Sequence, residues 1–301
     1  MKKILVIGSL STDFVVKTQI KPNQGETVFG DSFETVNGGK GANQAVAASR
    51  LGGKVSMLGC VGSDIFGQEI KANLKANQVD DTFVEPVTQM ASGSAHITLY
   101  EQDNSIIVVP GANNALNEKR IEEIARELEQ YDLVIIQNEI PQTTNEAIID
   151  YCWKKQIPLM YNPAPARRIE GKWLEKITYL TPNEHEFSLL FPNETLSSAL
   201  RKHPNQLIVT LGSKGAIFFD GKKEQMIPSF KVTPIDTTGA GDTFNGALAV
   251  AILEGLSLKE AITFANLAAS LSVQGFGAQG GMPTITQMKG SQHYAKTWNF
   301  K

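Results

Sequence analysis

The stretch Asp236-Thr237-Thr238-Gly239-Ala240-Gly241-Asp242-Thr243-Phe244-Asn245-Gly246 is the most informative part of the chain. A glycine-rich turn leads directly into a helix, because apolar residues recur at helical spacing in Phe244, Ala247, Leu248, Ala251 and Ile252. The unpaired N–H groups and the dipole at a helix start favour an anion. Asp242 stands in the same first turn. Two interpretations follow: a helix-stabilising Asp after a turn, or an anion hole with a general base beside it.

The composition of the 301-residue chain is that of a soluble globular protein, with 42% hydrophobic and 20% charged residues. A net charge of −3 argues against nucleic acid or an anionic membrane as the main partner. The apolar run at 4–7 stops at Gly8-Ser9, so it predicts a buried strand rather than a signal peptide. No run reaches the ~18 apolar residues of a spanning helix. With only Cys60 and Cys152, we expect a reduced, cytoplasmic protein.

Strand-like runs alternate with helical patterns along most of the chain, which predicts an α/β fold. The expected architecture has three layers, a mainly parallel twisted sheet flanked by helices. Predicted strands lie at 4–7, 55–61, 133–137, 159–162, 177–180, 207–211, 216–219 and 224–227. Predicted helices lie at 42–51, 66–77, 117–129 and 143–155, and two more close the chain.

Four further stretches alternate between polar and apolar residues, at 14–20, 27–36, 94–101 and 105–109. The last two are joined by the turn residues Gln102-Asp103-Asn104. Such strands have one exposed face. They predict a small antiparallel β lid apart from the main sheet. We therefore expect a single domain over 1–301, with lid segments near 13–36 and 93–110.

Four predicted strands end in polar, Pro or Gly residues: Asn138-Glu139, Asn162-Pro163, Thr181-Pro182-Asn183 and Thr210-Leu211-Gly212. Each of these segments alone is explained by a surface turn. In series they place polar groups along the carboxyl edge of a parallel sheet, where ligands bind in such folds. This edge is therefore the predicted site.

Several familiar motifs are absent or out of context. The chain has no P-loop sequence. The stretch Gly275-Phe276-Gly277-Ala278-Gln279-Gly280 matches Gly-x-Gly-x-x-Gly, but it follows a helix and opens no second one, which argues against a nicotinamide cofactor. The four histidines lack the spacing of metal ligands.

A second glycine-rich stretch, Asn37-Gly38-Gly39-Lys40-Gly41-Ala42-Asn43-Gln44, precedes a helix of small residues. Its glycines let a ligand reach the main chain, and Lys40 and Asn43 offer donors to hydroxyl groups. Asp13 follows the first strand and could accept hydrogen bonds from a diol. The alternatives are a flexible loop at a helix start and a turn aspartate.

Together these residues resemble the ribokinase-like carbohydrate kinases. The resemblance covers nearly the whole chain, and its Asp-Thr-x-Gly-Ala-Gly-Asp motif is specific to that superfamily. The matching segments are Gly8-Ser9-x-x-x-Asp13, Gly38-Gly39-Lys40-Gly41-Ala42-Asn43-Gln44-Ala45, Asn162-Pro163-Ala164-Pro165-Ala166, Thr181-Pro182-Asn183-Glu184-x-Glu186 and Asp236-Thr237-Thr238-Gly239-Ala240-Gly241-Asp242.

The resemblance implies transfer of the γ-phosphoryl group of ATP to a sugar hydroxyl, with D-ribose phosphorylated at O5 to ribose 5-phosphate as the leading expectation. Asp242 would be the general base, and Gly239, Ala240 and Gly241 would supply main-chain N–H groups. The sugar would meet Ser11, Thr12, Asp13, Gly39, Lys40, Gly41, Ala42, Asn43 and Glu139, with Asp242 on the reacting hydroxyl. Ser11 departs from the Asn that is frequent at this position.

The resemblance also implies sites for ATP, for Mg²⁺ and for a monovalent cation, usually K⁺. The nucleotide set is Asn183, Glu186, Thr210, Leu211, Gly212, Ser213, Lys214, Gly215, Gly241 and Asn266, and Asn183 with Glu186 would organise Mg²⁺ through water. A hydrogen-bonded core Asn is the alternative for Asn266. The cation set is Asp236, Thr238, Ser272, Gly275, Gly277 and Gly281, where the family often has Ser at the last position. A homodimer through the lid is expected.

Other functions stay open at this point. On the same fold, the substrate could be deoxyribose, fructose or a nucleoside. The chain could also be a non-catalytic sugar-binding regulator, although the intact Asp236, Asp242 and Gly-Ala-Gly argue against it. A dehydrogenase would rest on the rejected glycine match alone.

Overall fold

A computed structural model of the chain describes residues 2–100, 103–298 and 300. Its strands are β1 Lys3–Ile7, β2 Ser11–Lys17, β3 Ser32–Gly38, β4 Lys54–Gly62, β5 Asp80–Val87, β6 Gly93–Tyr100, β7 Asp103–Val109, β8 Leu133–Ile136, β9 Leu159–Tyr161, β10 Tyr179–Leu180, β11 Ile208–Thr210, β12 Ala216–Phe219 and β13 Glu224–Ile227. Its helices are α1 Lys40–Arg50, α2 Ile65–Ala76, α3 Glu118–Glu123, α4 Ala125–Leu128, α5 Gln142–Lys155, α6 Gly171–Leu174, α7 Glu184–Leu190, α8 Leu196–Lys202, α9 Ala240–Leu253, α10 Leu258–Ser272 and α11 Ile285–Gly290.

The main sheet has six parallel strands in the order β10-β9-β8-β1-β4-β5. Two parallel bridges, Leu180 to Leu207 and Asn183 to Thr210, bring β11 alongside β10. The antiparallel group β11-β12-β13 therefore extends the sheet at that side. The predicted parallel α/β sheet is confirmed.

The central strand β1 shows why the fold has three layers. Side chains alternate between the two faces of a strand. Ile4 and Val6 pack in one buried cluster with α1, α9 and α10, whereas Leu5 and Ile7 pack in a second cluster with α3 and α5. Each face of the sheet is thus covered by its own helices.

Some elements differ from the sequence prediction. The single helix predicted at 117–129 was wrong, because the chain leaves helical geometry at Ile124, between α3 and α4. The strand predicted at 177–180 shortens to β10. The elements that the sequence did not predict are short or polar: β5, α6, α7, α8 and α11. Their patterns extend over too few residues to show a clear period.

The lid is a four-stranded sheet in the order β3-β2-β6-β7. As predicted, β2 pairs antiparallel with β3, and β6 with β7. The two pairs are joined by a parallel pairing of β2 with β6, in which Asp13 lies opposite Ala95. Phe14 packs edge-on against Phe66 of α2, with ring centroids 5.1 Å apart, which anchors the lid to the body. Of the turn predicted between β6 and β7, Gln102 lies outside the described residues.

Across the described part of the chain, no helix combines the length and apolar character needed to cross a membrane.

Candidate active site

Asp242 is held where α9 packs against α1. A Cβ on Gly246 would lie 2.8 Å from the main-chain N of Ala48 and from Gln44 O, so only glycine permits this close approach of the helices. Asp242 is 5% exposed, and its two carboxylate oxygens accept separate hydrogen bonds. Asn43 Nδ2 donates to Oδ2 at 3.0 Å, and Gln44 Nε2 donates to Oδ1 at 2.9 Å. The carboxylate is therefore fixed in one orientation.

The glycines before α1 make room for the chain itself. A Cβ on Gly41 would lie 2.7 Å from the main chain of Gly8 and Ser9. A Cβ on Gly38 would lie 2.2 Å from Asp13 Oδ1, and Gly39 adopts a φ of +87°. The sequence suggested that these glycines open the main chain to a ligand. In the structure they also bring α1 against the end of β1 and leave space for the Asp13 side chain, and Gly39 in addition lines the cavity described below.

Glu139 crosslinks the segment after β1 to the start of α1. Its Oε2 accepts hydrogen bonds from Ser9 Oγ at 2.5 Å and from the N–H of Lys40 at 2.9 Å. Ser9 was not predicted as a site residue. Its signal in the sequence was its position directly after a buried strand, at the same carboxyl edge as the other polar residues.

Most of the residues predicted for the sugar meet around one cavity of about 500 Å³. Its lining includes Ser11, Asp13, Gly39, Lys40, Asn43, Glu139, Thr238, Gly239 and Asp242. The lid closes one side with apolar residues, among them Ile97 and Ile106. Thr12 and Ala42, which were also predicted, are 4% and 2% exposed and lie outside this lining. Gly41 is likewise buried and outside it.

The acidic groups around the cavity influence one another. Burial, together with the nearby carboxylates of Glu139 and Asp242, raises the pKa of Asp13 to about 6, against a hydrogen bond from Ser11 Oγ that lowers it. Burial is also the main reason that the pKa of Glu186 is raised. The Asp242 carboxylate raises the pKa of Lys40, which stays a cation among these acids. The cavity thus offers one ammonium group and several oxygen acceptors to a polyhydroxy ligand.

The turn before α9 is tightly packed at Gly239 and open to solvent at Gly241. Gly239 has a φ of +77°, and a Cβ there would lie 2.3 Å from Ala278 O. A Cβ on Gly241, by contrast, would meet no atom within 4 Å, and Gly241 is exposed in the first turn of α9. The N–H of Ala240 donates a long hydrogen bond of 3.3 Å to Thr237 O. The open side of this helix start is where an anion could approach.

Asp236 ties this turn to the loop after α10. Its Oδ1 accepts from the N–H of Thr238 at 2.9 Å, and its Oδ2 accepts from the N–H of Gly277 at 2.8 Å. In the same loop, a Cβ on Gly281 would lie 1.8 Å from Ser272 O. A Ser at position 281, which the resemblance led us to expect, would not fit without a movement of the loop. The six residues predicted for a monovalent cation therefore belong to two connected segments.

Most of the residues predicted for the nucleotide lie at the ends of β10 and β11, whereas Gly241 is on α9 and Asn266 on α10. Asn183 caps α7 in a reciprocal capping box with Glu186. Gly212, Ser213 and Lys214 form a short turn after β11, which the N–H of Leu211 closes by donating to Gly215 O at 2.8 Å. Thr210 bridges to Asn183.

Asn266 is 4% exposed on α10, among apolar neighbours. Its Nδ2 donates to Ile227 O at 3.0 Å and to Pro228 O at 3.2 Å. This is the bonding that the structural alternative for Asn266 expects, so a nucleotide contact would fall to its Oδ1. That contact stays a prediction.

Known proteins resemble the chain over nearly its whole length. The model of the pfkB family carbohydrate kinases matches residues 1–285. The chain is 53% identical over 289 residues to the ribokinase of Bacillus subtilis, covering 96% of this chain and 99% of that protein. It is 51% identical over 290 residues to the ribokinase of Lactococcus lactis, covering 96% of each. A solved structure of Arabidopsis thaliana ribokinase complexed with ribose and ATP matches with a TM-score of 0.87 at 34% identity, over 95% of this chain and 97% of that one.

Proposed function

Because the chain belongs to the pfkB family of carbohydrate kinases, we propose that it transfers the γ-phosphoryl group of ATP to O5 of D-ribose. The observation that carries the proposal is the oriented Asp242 carboxylate, which lines the cavity beside the open helix start at Gly241. Ribokinases at 53% and 51% identity support ribose as the sugar.

Asp242 is the proposed general base. Its carboxylate accepts the proton of the attacking hydroxyl as the bond from the sugar oxygen to γ-phosphorus forms and the bond to the ADP oxygen breaks. The N–H groups of Gly239, Ala240 and Gly241, at the positive end of α9, stabilise charge on the transferred group. For the N–H of Ala240 to bind the phosphoryl group, its long hydrogen bond to Thr237 O must break.

The sugar is proposed to lie between the lid and α1. Asp13 and Glu139 accept hydrogen bonds from hydroxyl groups, and Lys40 and Asn43 donate them. Ser11 Oγ donates to Asp13 Oδ1 at 3.2 Å. Ser11 is shorter than the Asn that is frequent at this position in the family. Its hydroxyl contacts the Asp13 carboxylate, which is proposed to face the sugar. We propose that Ser11 orients Asp13.

The metal ions remain proposals, and the residues fit them to different degrees. Among the described residues, no group of three or more His, Cys, Asp or Glu side chains could hold a metal by itself. Glu186 and Asn183 bond to each other, which fits contact with Mg²⁺ through water rather than direct ligation. Bound Mg²⁺ would neutralise charge on the ATP phosphates. Asp236 is the one carboxylate of the proposed cation set, and its two oxygens accept the N–H groups of Thr238 and Gly277. A monovalent cation such as K⁺ would therefore rely mainly on main-chain carbonyl oxygens of these two segments.

Two further expectations belong to this proposal. We treat residues 1–301 as one catalytic unit that forms a homodimer through its lid, since the lid exposes apolar side chains such as Phe33 and Ile107. The two cysteines are free and buried, in keeping with the reducing cytoplasm.

The test measures the rate of ADP release from MgATP. The sugars compared are ribose, deoxyribose, fructose and ribonucleosides, each in potassium buffer and in sodium buffer. We expect ribose to have the highest kcat/KM, with potassium raising it. Asp242→Asn should fold and bind ATP but lose about 10²–10⁴-fold in kcat, the usual contribution of a general base. Faster turnover of another sugar would reassign the substrate. Near-normal turnover by Asp242→Asn would remove Asp242 from its role.

A further inference from the structure

A series of hydrogen-bonded, buried amide side chains leads from the main sheet to Asp242. Gln137 Nε2 donates to Gln44 Oε1 at 2.8 Å. Gln44 Nε2 in turn donates to Asp242 Oδ1 at 2.9 Å and to Asn162 Oδ1 at 3.0 Å. Gln137 and Asn162 follow β8 and β9, so the main sheet itself supports one oxygen of the carboxylate.

A second amide chain reaches the other oxygen from the opposite direction. Asn73 Nδ2, on α2, donates to Gln279 Oε1 at 2.9 Å, and Gln279 Nε2 donates to Asn43 Oδ1 at 2.9 Å. Asn43 Nδ2 then donates to Asp242 Oδ2 at 3.0 Å. Gln279 belongs to the glycine-rich stretch whose match to a nicotinamide-cofactor motif failed on context.

In the series Gln137–Gln44 and in the series Asn73–Gln279–Asn43, each NH₂ group donates in the direction of Asp242, whereas Asn162 accepts from Gln44 and donates to Thr181 O at 3.1 Å. An ionised carboxylate only accepts hydrogen bonds, so the amide next to it must present its nitrogen and offer its oxygen to the next amide. Aligned amides polarise one another in a buried site, which strengthens the donors at the carboxylate. Each carboxylate oxygen of Asp242 thus accepts a hydrogen bond from an amide N–H, and this pair of donors fixes its direction.

Gln44 differs from Asn43 in one important respect. Asn43 lines the cavity, where a sugar would touch it, whereas Gln44 is 0% exposed and lies outside the lining. Its partners Gln137 and Asn162 are 0% and 6% exposed and carry no charge. Of the three side chains to which the Gln44 amide is bonded, Asp242 is the one that lines the cavity.

We propose that Gln44 is a positioning residue for the general base: its amide fixes the direction of the Asp242 carboxylate and keeps it able to accept a proton. This inference rests on the proposed role of Asp242. The charged groups that face the carboxylate are Asp13 on β2, Lys40 at the start of α1, Glu139 after β8 and Glu186 on α7. None of them is bonded to Gln44, so its substitution leaves them in place.

The test compares Gln44→Leu and Gln44→Glu with the wild-type chain. For Gln44→Leu we expect kcat to fall about 10–100-fold, the range of one lost hydrogen bond to a charged group, with the sugar KM within about twofold. The acidic limb of the kcat profile should move to higher pH, because a carboxylate with fewer donors takes up a proton more readily.

The nearly isosteric Gln44→Glu variant gives a signature that altered packing would not produce. At low pH the introduced carboxyl is protonated and keeps a donor for Asp242, whereas at high pH it is ionised and repels it. We expect kcat of this variant to rise as pH falls through the range in which that carboxyl takes up its proton, opposite to the wild-type chain. This variant also decides the matter if Gln44→Leu does not fold.

Gln206→Leu is the matched control. Gln206 also donates two hydrogen bonds through Nε2, to Leu174 O and Ile177 O, away from the cavity. Its substitution should lower stability without changing the pH profile of kcat. An unchanged profile and kcat in both Gln44 variants, with Asp242→Asn inactive, would overturn the inference while leaving the proposed function intact. An active Asp242→Asn variant would overturn the proposed function instead.

Discussion

Asp13, a proposed sugar ligand, is a buried carboxylate whose ionisation lowers stability. It is 8% exposed, and its pKa is raised to about 6 by burial and by the carboxylates of Glu139 and Asp242. The unfolded chain ionises this group near the ordinary value of 3.8. Because the folded pKa is the higher one, the contribution of Asp13 to the free energy of unfolding is fully present below pH 3.8, falls as pH rises towards 6 and is lost above it. The difference of about two pKa units corresponds to ~3 kcal/mol at most.

The substitution Asp13→Asn tests both sides of this balance. At pH 8 the variant should be more stable than the wild-type chain by about 1–3 kcal/mol, because no buried charge remains. Its sugar KM should rise at least about tenfold, since a charged acceptor is lost. Urea unfolding at pH 8 and pH 4, with sugar titrations at pH 8, measures the two effects. A stability gain that is equal at both pH values would contradict the raised pKa.

The pH dependence of the sugar KM of the wild-type chain also tests the raised pKa of Asp13. If only ionised Asp13 binds the sugar, a group with a pKa of about 6 is mostly charged at pH 7 and mostly neutral at pH 5. We therefore expect the sugar KM to be about tenfold higher at pH 5 than at pH 7.

At the scale of elements, the contact of α1 with α9 determines the position of Asp242, the proposed general base. Small residues on both helices allow it: Ala45, Ala47 and Ala48 on α1 are fully buried or nearly so, and Gly246 on α9 faces them. A larger residue at 246 would push α9 away and lengthen the bonds from Asn43 and Gln44 to Asp242. Residue 246, four positions after Asp242, thereby controls the hydrogen-bond geometry of the Asp242 carboxylate.

Gly246→Ala should lower the free energy of unfolding by about 1–3 kcal/mol, the usual effect of overpacking. Turnover should fall as well, since the added Cβ meets main-chain atoms that cannot rotate away. Gly290→Ala in α11 is the control, because a Cβ there meets no atom within 4 Å. That variant should match the wild-type chain or exceed it slightly in stability. Thermal unfolding and kcat of both variants provide the comparison, and equal behaviour would argue against the tight helix contact.

At the scale of the whole molecule, the lid leaves apolar surface uncovered. The edge strand β7 exposes Ile107 by 69% and Val108 by 54%, on opposite faces, and Phe33 on the other edge strand is 61% exposed. Long apolar edge strands invite pairing with another chain. A second lid provides the partner in the homodimer that we propose.

Light scattering should therefore give a mass of about twice the 32.7 kDa of the chain. Ile107→Glu should shift the protein to the monomer, because it places a charge in the proposed interface. Met226→Glu on β13 substitutes a side chain that is 46% exposed away from the lid, and it should leave the mass unchanged. A monomeric wild-type chain would exclude the lid dimer.

The sequence by itself determined the parallel α/β sheet, the lid segments and the helix start that carries Asp242. Apolar periodicity and turn chemistry are local, so they are readable within a few residues. Most of the predicted sugar residues share one cavity, because carboxyl ends of parallel strands meet at one edge.

Only the tertiary structure decided which side chains bond to Asp242, the proposed general base. Gln44 and Asp242 are 198 positions apart, and Gln279 and Asn43 are 236 apart, so no local pattern connects them. The same holds for the parallel pairing of β2 with β6, and for Gly281, whose lack of a side chain is explained by Ser272 O directly beside it. Such contacts depend on how close two distant segments of main chain approach, and that distance is fixed by packing of the whole core.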